Sequence, residues 1–83
     1  MTYFQPMLIF MEDLIERLRA FRARQELSQT DFADRFGLCR DTYRQWERGR
    51  RRPDMASYLL LRVIMAEPDL VAAVAEDLRP SLV

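Results

Sequence analysis

A chain of 83 residues holds one domain at most, and with Cys39 as its only cysteine and no histidine it can build neither an internal disulfide nor a zinc site. Thirteen basic residues, all of them Arg, balance thirteen acids, so a uniformly basic or acidic protein is excluded and only the distribution of charge is informative. A domain this small buries a modest core, and oligomerisation is the support left to it.

The chain opens on an apolar stretch that includes Tyr3, Phe4, Leu8, Ile9 and Phe10. Acids follow it at once, and it lacks a basic n-region and a small-residue cleavage site, so no signal peptide is expected. No apolar run reaches the length of a membrane span, and the protein is expected to be cytoplasmic. Residues 1–10 are read as a short N-terminal arm with a weak strand signal, residues 11–79 as the folded domain, and residues 80–83 as a tail.

Leu14, Leu18 and Phe21, with Ile15 beside them, recur at helical spacing and predict a first helix from about Met11 to Gln25. Ser28 can cap a second helix, with Asp31 at its third position as a variant of the capping box; Phe32, Ala33 and Phe36 form its inner face and Gly37 ends it. A third helix begins near Cys39 and ends at Gly49, with Tyr43 and Trp46 turned inward. A fourth follows Pro53, capped by Asp54, and runs to about Ala66. A fifth starts with Pro68 at its first position, which suits a residue lacking an N–H, and is predicted to stop before Pro80. The fold class is therefore all-α: five helices with a short apolar N-terminal arm. The second and third are separated only by Gly37 and Leu38, the helix–tight turn–helix unit whose second helix can enter a major groove.

Charge divides along the same lines. Residues 1–34 carry four Arg and six acids, and residues 53–83 two Arg and five acids. Between them lie seven Arg (35, 40, 44, 48, 50, 51 and 52) against Asp41 and Glu47. A basic patch thus sits on the third helix and the loop after it, between acidic flanks. A coding bias explains the missing Lys as well as selection for the planar guanidinium does.

Residues 18–53 resemble the DNA-binding domain shared by phage repressors, Cro proteins and the xenobiotic-response-element regulators. The resemblance rests on Leu18, Arg22, Leu27-Ser28-Gln29, Phe32-Ala33, Gly37-Leu38, Thr42, Trp46-Glu47, Gly49 and Pro53, which keep the family spacing without gaps. Two positions depart from it: Cys39 stands where a capping Ser or Thr is usual, and Tyr43 where a small or aliphatic residue is usual. The first puts the cap of the third helix in question, and the second is expected to open the core slightly. A narrower likeness, over Thr42–Pro53, Leu60–Ile64 and Glu67–Leu70, is to HigA-type and MqsA-type antitoxins and small phage regulators, without the zinc-binding N-terminal domain of the MqsA kind.

The resemblance implies sequence-specific binding of double-stranded DNA, with the third helix in the groove. Arg40, Asp41, Arg44 and Gln45 lie on its outer face and are the candidates for reading bases: Arg pairs with guanine, Gln with adenine, and Asp accepts from cytosine. Taken alone, such a face is equally a solvated helix surface. Gln29 and Thr42 are candidates for phosphate contact, the first because it opens a helix. Arg48, Arg50, Arg51 and Arg52 lie beside the groove-entering helix and are candidates for the backbone as well, phosphate attraction being the main source of affinity. The family pattern implies an ion pair between Arg22 and Glu47.

The expected function is transcriptional regulation, an autoregulatory repressor on an inverted repeat, acting as a homodimer. The fourth helix is apolar almost all round, and the fifth carries Leu70, Val71, Val74 and Leu78 as a stripe, which together exceed what one small core can bury. Either these helices or the arm can supply the dimer contact, and an intermolecular strand from the arm ranks second to helix packing. The alternative is an antitoxin that binds a toxin protein and represses its own operon. No enzyme, metal or cofactor is expected: there is no nucleophile–base pair, and the acids are scattered.

Overall fold

The computed structural model describes residues 4–82, with side chains from 13 to 79. Five helices follow one another: α1 Phe4–Arg24, α2 Gln29–Arg35, α3 Arg40–Glu47, α4 Met55–Ala66 and α5 Pro68–Leu82. No strand occurs among the described residues, and the fold is all-α.

Two boundaries differ from expectation. α1 begins at Phe4 rather than near Met11, so residues 4–10 continue the first helix instead of forming an arm or a strand. Pro6 is compatible with this because it stands in the first turn, where a backbone N–H has no helical partner to lose. Residues 1–3, Tyr3 among them, lie outside the described residues, as do the side chains of Phe4, Leu8, Ile9 and Phe10. At the other end α5 continues through Pro80 to Leu82. The ring fixes φ near the helical value, and the cost of Pro80 is the one bond it cannot donate to the preceding turn. The remaining tail residue, Val83, lies outside the described residues.

The first three helices end in the same way. Glu26, Gly37 and Gly49 all have left-handed backbone, with φ of 56°, 71° and 72°. After each, the chain reverses through a pair of hydrogen bonds: Glu26 N to Ala23 O and Leu27 N to Arg22 O, Gly37 N to Asp34 O and Leu38 N to Ala33 O, Gly49 N to Trp46 O and Arg50 N to Gln45 O. This is the Schellman arrangement, which satisfies carbonyls that a helix end leaves unpaired. Glycine takes the left-handed position without penalty, whereas Glu26 crowds its Cβ against the following carbonyl. A Cβ added at Gly37 would also come within 3.4 Å of the Ala75 side chain of α5, so the turn is packed as well as bent.

The starts of the helices divide. Ser28 Oγ accepts from Asp31 N at 3.0 Å, and Asp54 Oδ1 accepts from Ser57 N at 2.8 Å. Cys39 occupies the cap of α3 with extended backbone but makes no side-chain cap bond.

Phe32 of α2 is the centre of the core. It is fully buried and meets Phe21 and Phe36 edge-on and Tyr43 face-on, the last at a centroid distance of 5.0 Å. Leu14 and Leu18 of α1, Trp46 of α3, and Leu61 and Ile64 of α4 close around it. Tyr43 does not open the core: it is fully buried and stacks on Phe32, so the larger side chain fills the space between α2 and α3.

Candidate nucleic-acid interface

α3 is eight residues long, and its two faces diverge completely. Tyr43, Trp46 and Glu47 are buried, while Arg40 and Asp41 are exposed and Thr42, Arg44 and Gln45 are half-buried.

On the inner face Glu47 is a carboxylate with only 2% of its surface exposed, and it is surrounded by donors. Arg22 of α1 grips it with two parallel bonds, Nε to Oε2 at 2.8 Å and Nη2 to Oε1 at 3.0 Å. Gln29 Nε2 donates to Oε1 at 3.0 Å, and the Tyr43 hydroxyl donates to Oε2. Arg22 Nη1 also donates to the carbonyl of Leu27, in the turn between α1 and α2. Burial alone pushes the Glu47 carboxyl up, but the bonds from Arg22, Tyr43 and Gln29 outweigh it and hold the group below its ordinary range. Burial also raises the Tyr43 hydroxyl, and the neighbouring Glu47 raises it further, so the phenol stays a donor. No buried side-chain nitrogen or oxygen among the described residues lacks a partner. Helices α1, α2 and α3 are therefore locked together by one charged, fully bonded cluster, which is unforgiving of partial loss.

The outer face is more loosely held. Arg40 is bridged to Asp34 of α2, Nε to Oδ1 at 2.8 Å and Nη2 to Oδ2 at 2.7 Å. Gln45 Nε2 donates to Asp41 Oδ2 one turn earlier at 3.1 Å. Arg44 has no acidic partner within ion-pair distance among the described residues, and neither do Arg48, Arg50, Arg51 or Arg52. These last four are exposed and follow α3 directly, Arg48 before the reversal at Gly49 and the other three after it.

The structure thus separates the residues singled out from sequence into two groups. Arg22, Glu47 and Gln29 come together inside, Gln29 by its side-chain amide rather than as an unattached helix-end residue. Arg40, Asp41, Arg44 and Gln45 share the outside with the arginine loop, and Thr42 sits half-buried near the start of α3. Two participants escaped the sequence reading. Tyr43 completes the Glu47 cluster, and Asp34 holds Arg40. The signal for the second was present: opposite charges six residues apart across a tight turn are within reach of each other.

The Cys39 thiol is exposed. No cluster of His, Cys, Asp or Glu among the described residues could hold a metal ion, and no described helix is long and apolar enough to cross a membrane.

A helix-turn-helix family model matches residues 18–61, from the second half of α1 through the middle of α4. No match to a curated protein or to a solved structure accompanies it. The match covers just over half of the chain, including the turn, the recognition-helix position and the first half of α4. The chain belongs to the helix-turn-helix family, the DNA-binding transcriptional regulators that include phage repressors and Cro proteins.

Proposed function

We propose that this DNA-binding regulator is an autoregulatory repressor that binds an inverted repeat as a homodimer. The observation that carries the reading is the outer face of α3. It offers the directional side chains Arg40, Asp41, Arg44 and Gln45, and it runs directly into an arginine loop with no acidic partners in reach among the described residues. With α3 in the major groove these four side chains read base edges, and Arg48, Arg50, Arg51 and Arg52 hold the phosphates on either side. The Gln29 amide nitrogen has a second N–H beyond the one given to Glu47, and that N–H and the Thr42 hydroxyl are the remaining phosphate contacts.

The dimer reading rests on α4 and α5. Met55, Leu59 and Val63 recur every fourth residue on α4, and Leu70, Val74 and Leu78 do so on α5; with Leu60, all are more than a third exposed. Exposed apolar rows of this kind mark interaction surfaces, and a standard interface takes ~800 Å² per partner. A toxin protein could occupy the same rows. That is the second reading, an antitoxin repressing its own operon.

Selection from a randomised duplex pool, followed by light scattering of the free and bound protein, tests the proposal. An inverted repeat with half-site centres about 34 Å apart is expected, bound by two copies. Equal affinity for random and selected duplex at near-physiological salt would overturn the specific-repressor reading, and a monomer at every concentration, free and on DNA, would overturn the dimer.

A further inference from the structure

We propose that Asp34 is a positioning residue for base recognition: it clamps one edge of the Arg40 guanidinium so that the other edge is presented to a guanine. The inference rests on the reading of α3 as the groove helix. It adds the identity of the base and a residue outside α3 that selects it.

A guanidinium carries five N–H groups in a rigid plane. Asp34 takes two of them, one from Nε and one from Nη2, in a side-on fork at 2.8 and 2.7 Å. Of the three that remain, two point out of the Nη1/Nη2 end, in the same plane. That end matches a pair of acceptors such as O6 and N7 of guanine in the major groove. Adenine replaces O6 with a donor and would meet N–H with N–H. An arginine without the clamp samples many rotamers, and each contact it forms costs side-chain entropy. One held at its base by a carboxylate is already oriented.

The clamp is itself anchored. Asp34 stands near the end of α2, and its backbone carbonyl accepts from Gly37 N and from Arg79 Nη2 of α5. Arg40 and Arg79 together hold the Asp34 carboxyl below its ordinary value. An exposed pair contributes little to stability, and orientation is the function its paired bonds serve best. The arrangement also works against indiscriminate binding, because Asp34 sets a negative charge beside the surface that approaches phosphate.

The experiment compares the wild-type protein with Asp34→Asn, Arg40→Lys and the double variant. Each is selected on a randomised duplex pool and then titrated on duplexes differing at single bases, with thermal melts alongside. The wild type is expected to prefer guanine at one position per half-site. Arg40→Lys keeps the charge but loses the planar fork, and is expected to weaken that preference. Asp34→Asn is expected to reduce the preference for guanine at that one position about tenfold, the scale of a single bidentate contact. Preferences elsewhere and the salt dependence should be unchanged, and affinity for random duplex should be equal or higher. The double variant should discriminate no worse than Arg40→Lys. A merely structural pair would move the melt and leave the base preference alone, and that result overturns the proposal. So does a sharper guanine preference in Asp34→Asn, which would mean that Asp34 withholds Arg40 from the groove. If Asp34→Asn did not fold, an Arg40→Lys protein that kept the guanine preference undiminished would still overturn it. A wild type with no base preference anywhere would overturn the regulator reading itself, whereas base preference that ignores Asp34 overturns this inference alone.

Discussion

Along α3, charge is handled in two opposite ways within eight residues. The inner face buries the Glu47 carboxylate and surrounds it with Arg22, Gln29 and Tyr43, so that both of its oxygens are occupied. The outer face keeps its charges in water, pairs two of its four side chains with single nearby carboxylates, and leaves Arg44 free of any among the described residues. Buried charge must be fully bonded or it destabilises the fold, whereas exposed charge contributes little to stability and can therefore be committed to a ligand. One short helix can be both keystone and, on the reading proposed here, reader, because its period sorts residues three and four apart onto one face.

The comparison breaks most visibly at Glu47. Glu47→Gln leaves Arg22 partly buried without its counter-charge, and the expected loss is about 3–5 kcal/mol in urea denaturation. A loss under about 1 kcal/mol, the range of an exposed pair, would mean that the inner cluster is no different in kind from the outer one.

Acid should reach the same cluster more gradually. Glu47, Asp34 and Asp54 all have carboxyls below their ordinary values in the folded protein. As pH falls the unfolded chain therefore takes up protons first. Stability is fully present above the ordinary carboxylate range, about pH 4, and is lost toward the lower folded values. Thermal midpoints should fall steadily between about pH 5 and pH 2, and less steeply in Glu47→Gln. A flat profile would contradict the bonding described for all three groups.

On the outer face the expected losses are in binding. Gln45→Ala should cost about 1–3 kcal/mol on the preferred site and relax selection at one or two bases, while Arg50→Ala should weaken all sequences alike and reduce the salt slope by about one. Neither should shift the thermal midpoint appreciably. If Arg50→Ala altered base preference and Gln45→Ala did not, α3 would not be the helix in the groove.

The smallest effect is a gain. Glu26 ends α1 in left-handed backbone, where Gly37 and Gly49 perform the same service for α2 and α3. Glu26→Gly should stabilise the protein by about 0.5–1 kcal/mol, the left-handed penalty less the added freedom of the unfolded chain. A loss on denaturation would show that the Glu26 side chain supports the turn.

Much of the architecture was legible in the sequence because it is written locally. Ser28 with Asp31, Gly37, Gly49 and Asp54 mark helix ends by chemistry confined to one turn. The left-handed turn at Glu26 carries no such mark, since only glycine or asparagine announces that conformation. The start of α1 was missed because an apolar stretch with a weak strand signal reads as an arm. The outer face of α3 followed from periodicity. What periodicity could not supply were the partners drawn from other helices: Gln29 turning in to Glu47, Tyr43 donating to the same carboxylate, and Asp34 gripping Arg40. Those depend on how α2 and α3 are set against each other, which is a property of the packed molecule.

The helices are joined by links of four, four, seven and one residues. Few stretches of chain must therefore be brought together from afar, and the entropy of closing these loops is small. A helical domain with such local connectivity is expected to fold in microseconds to milliseconds. The α2–α3 unit, with its own caps and its own turn, has most of what it needs before the rest arrives. Each new copy of the chain would be folded soon after it leaves the ribosome, so the delay before it acts would be set by synthesis, not by folding.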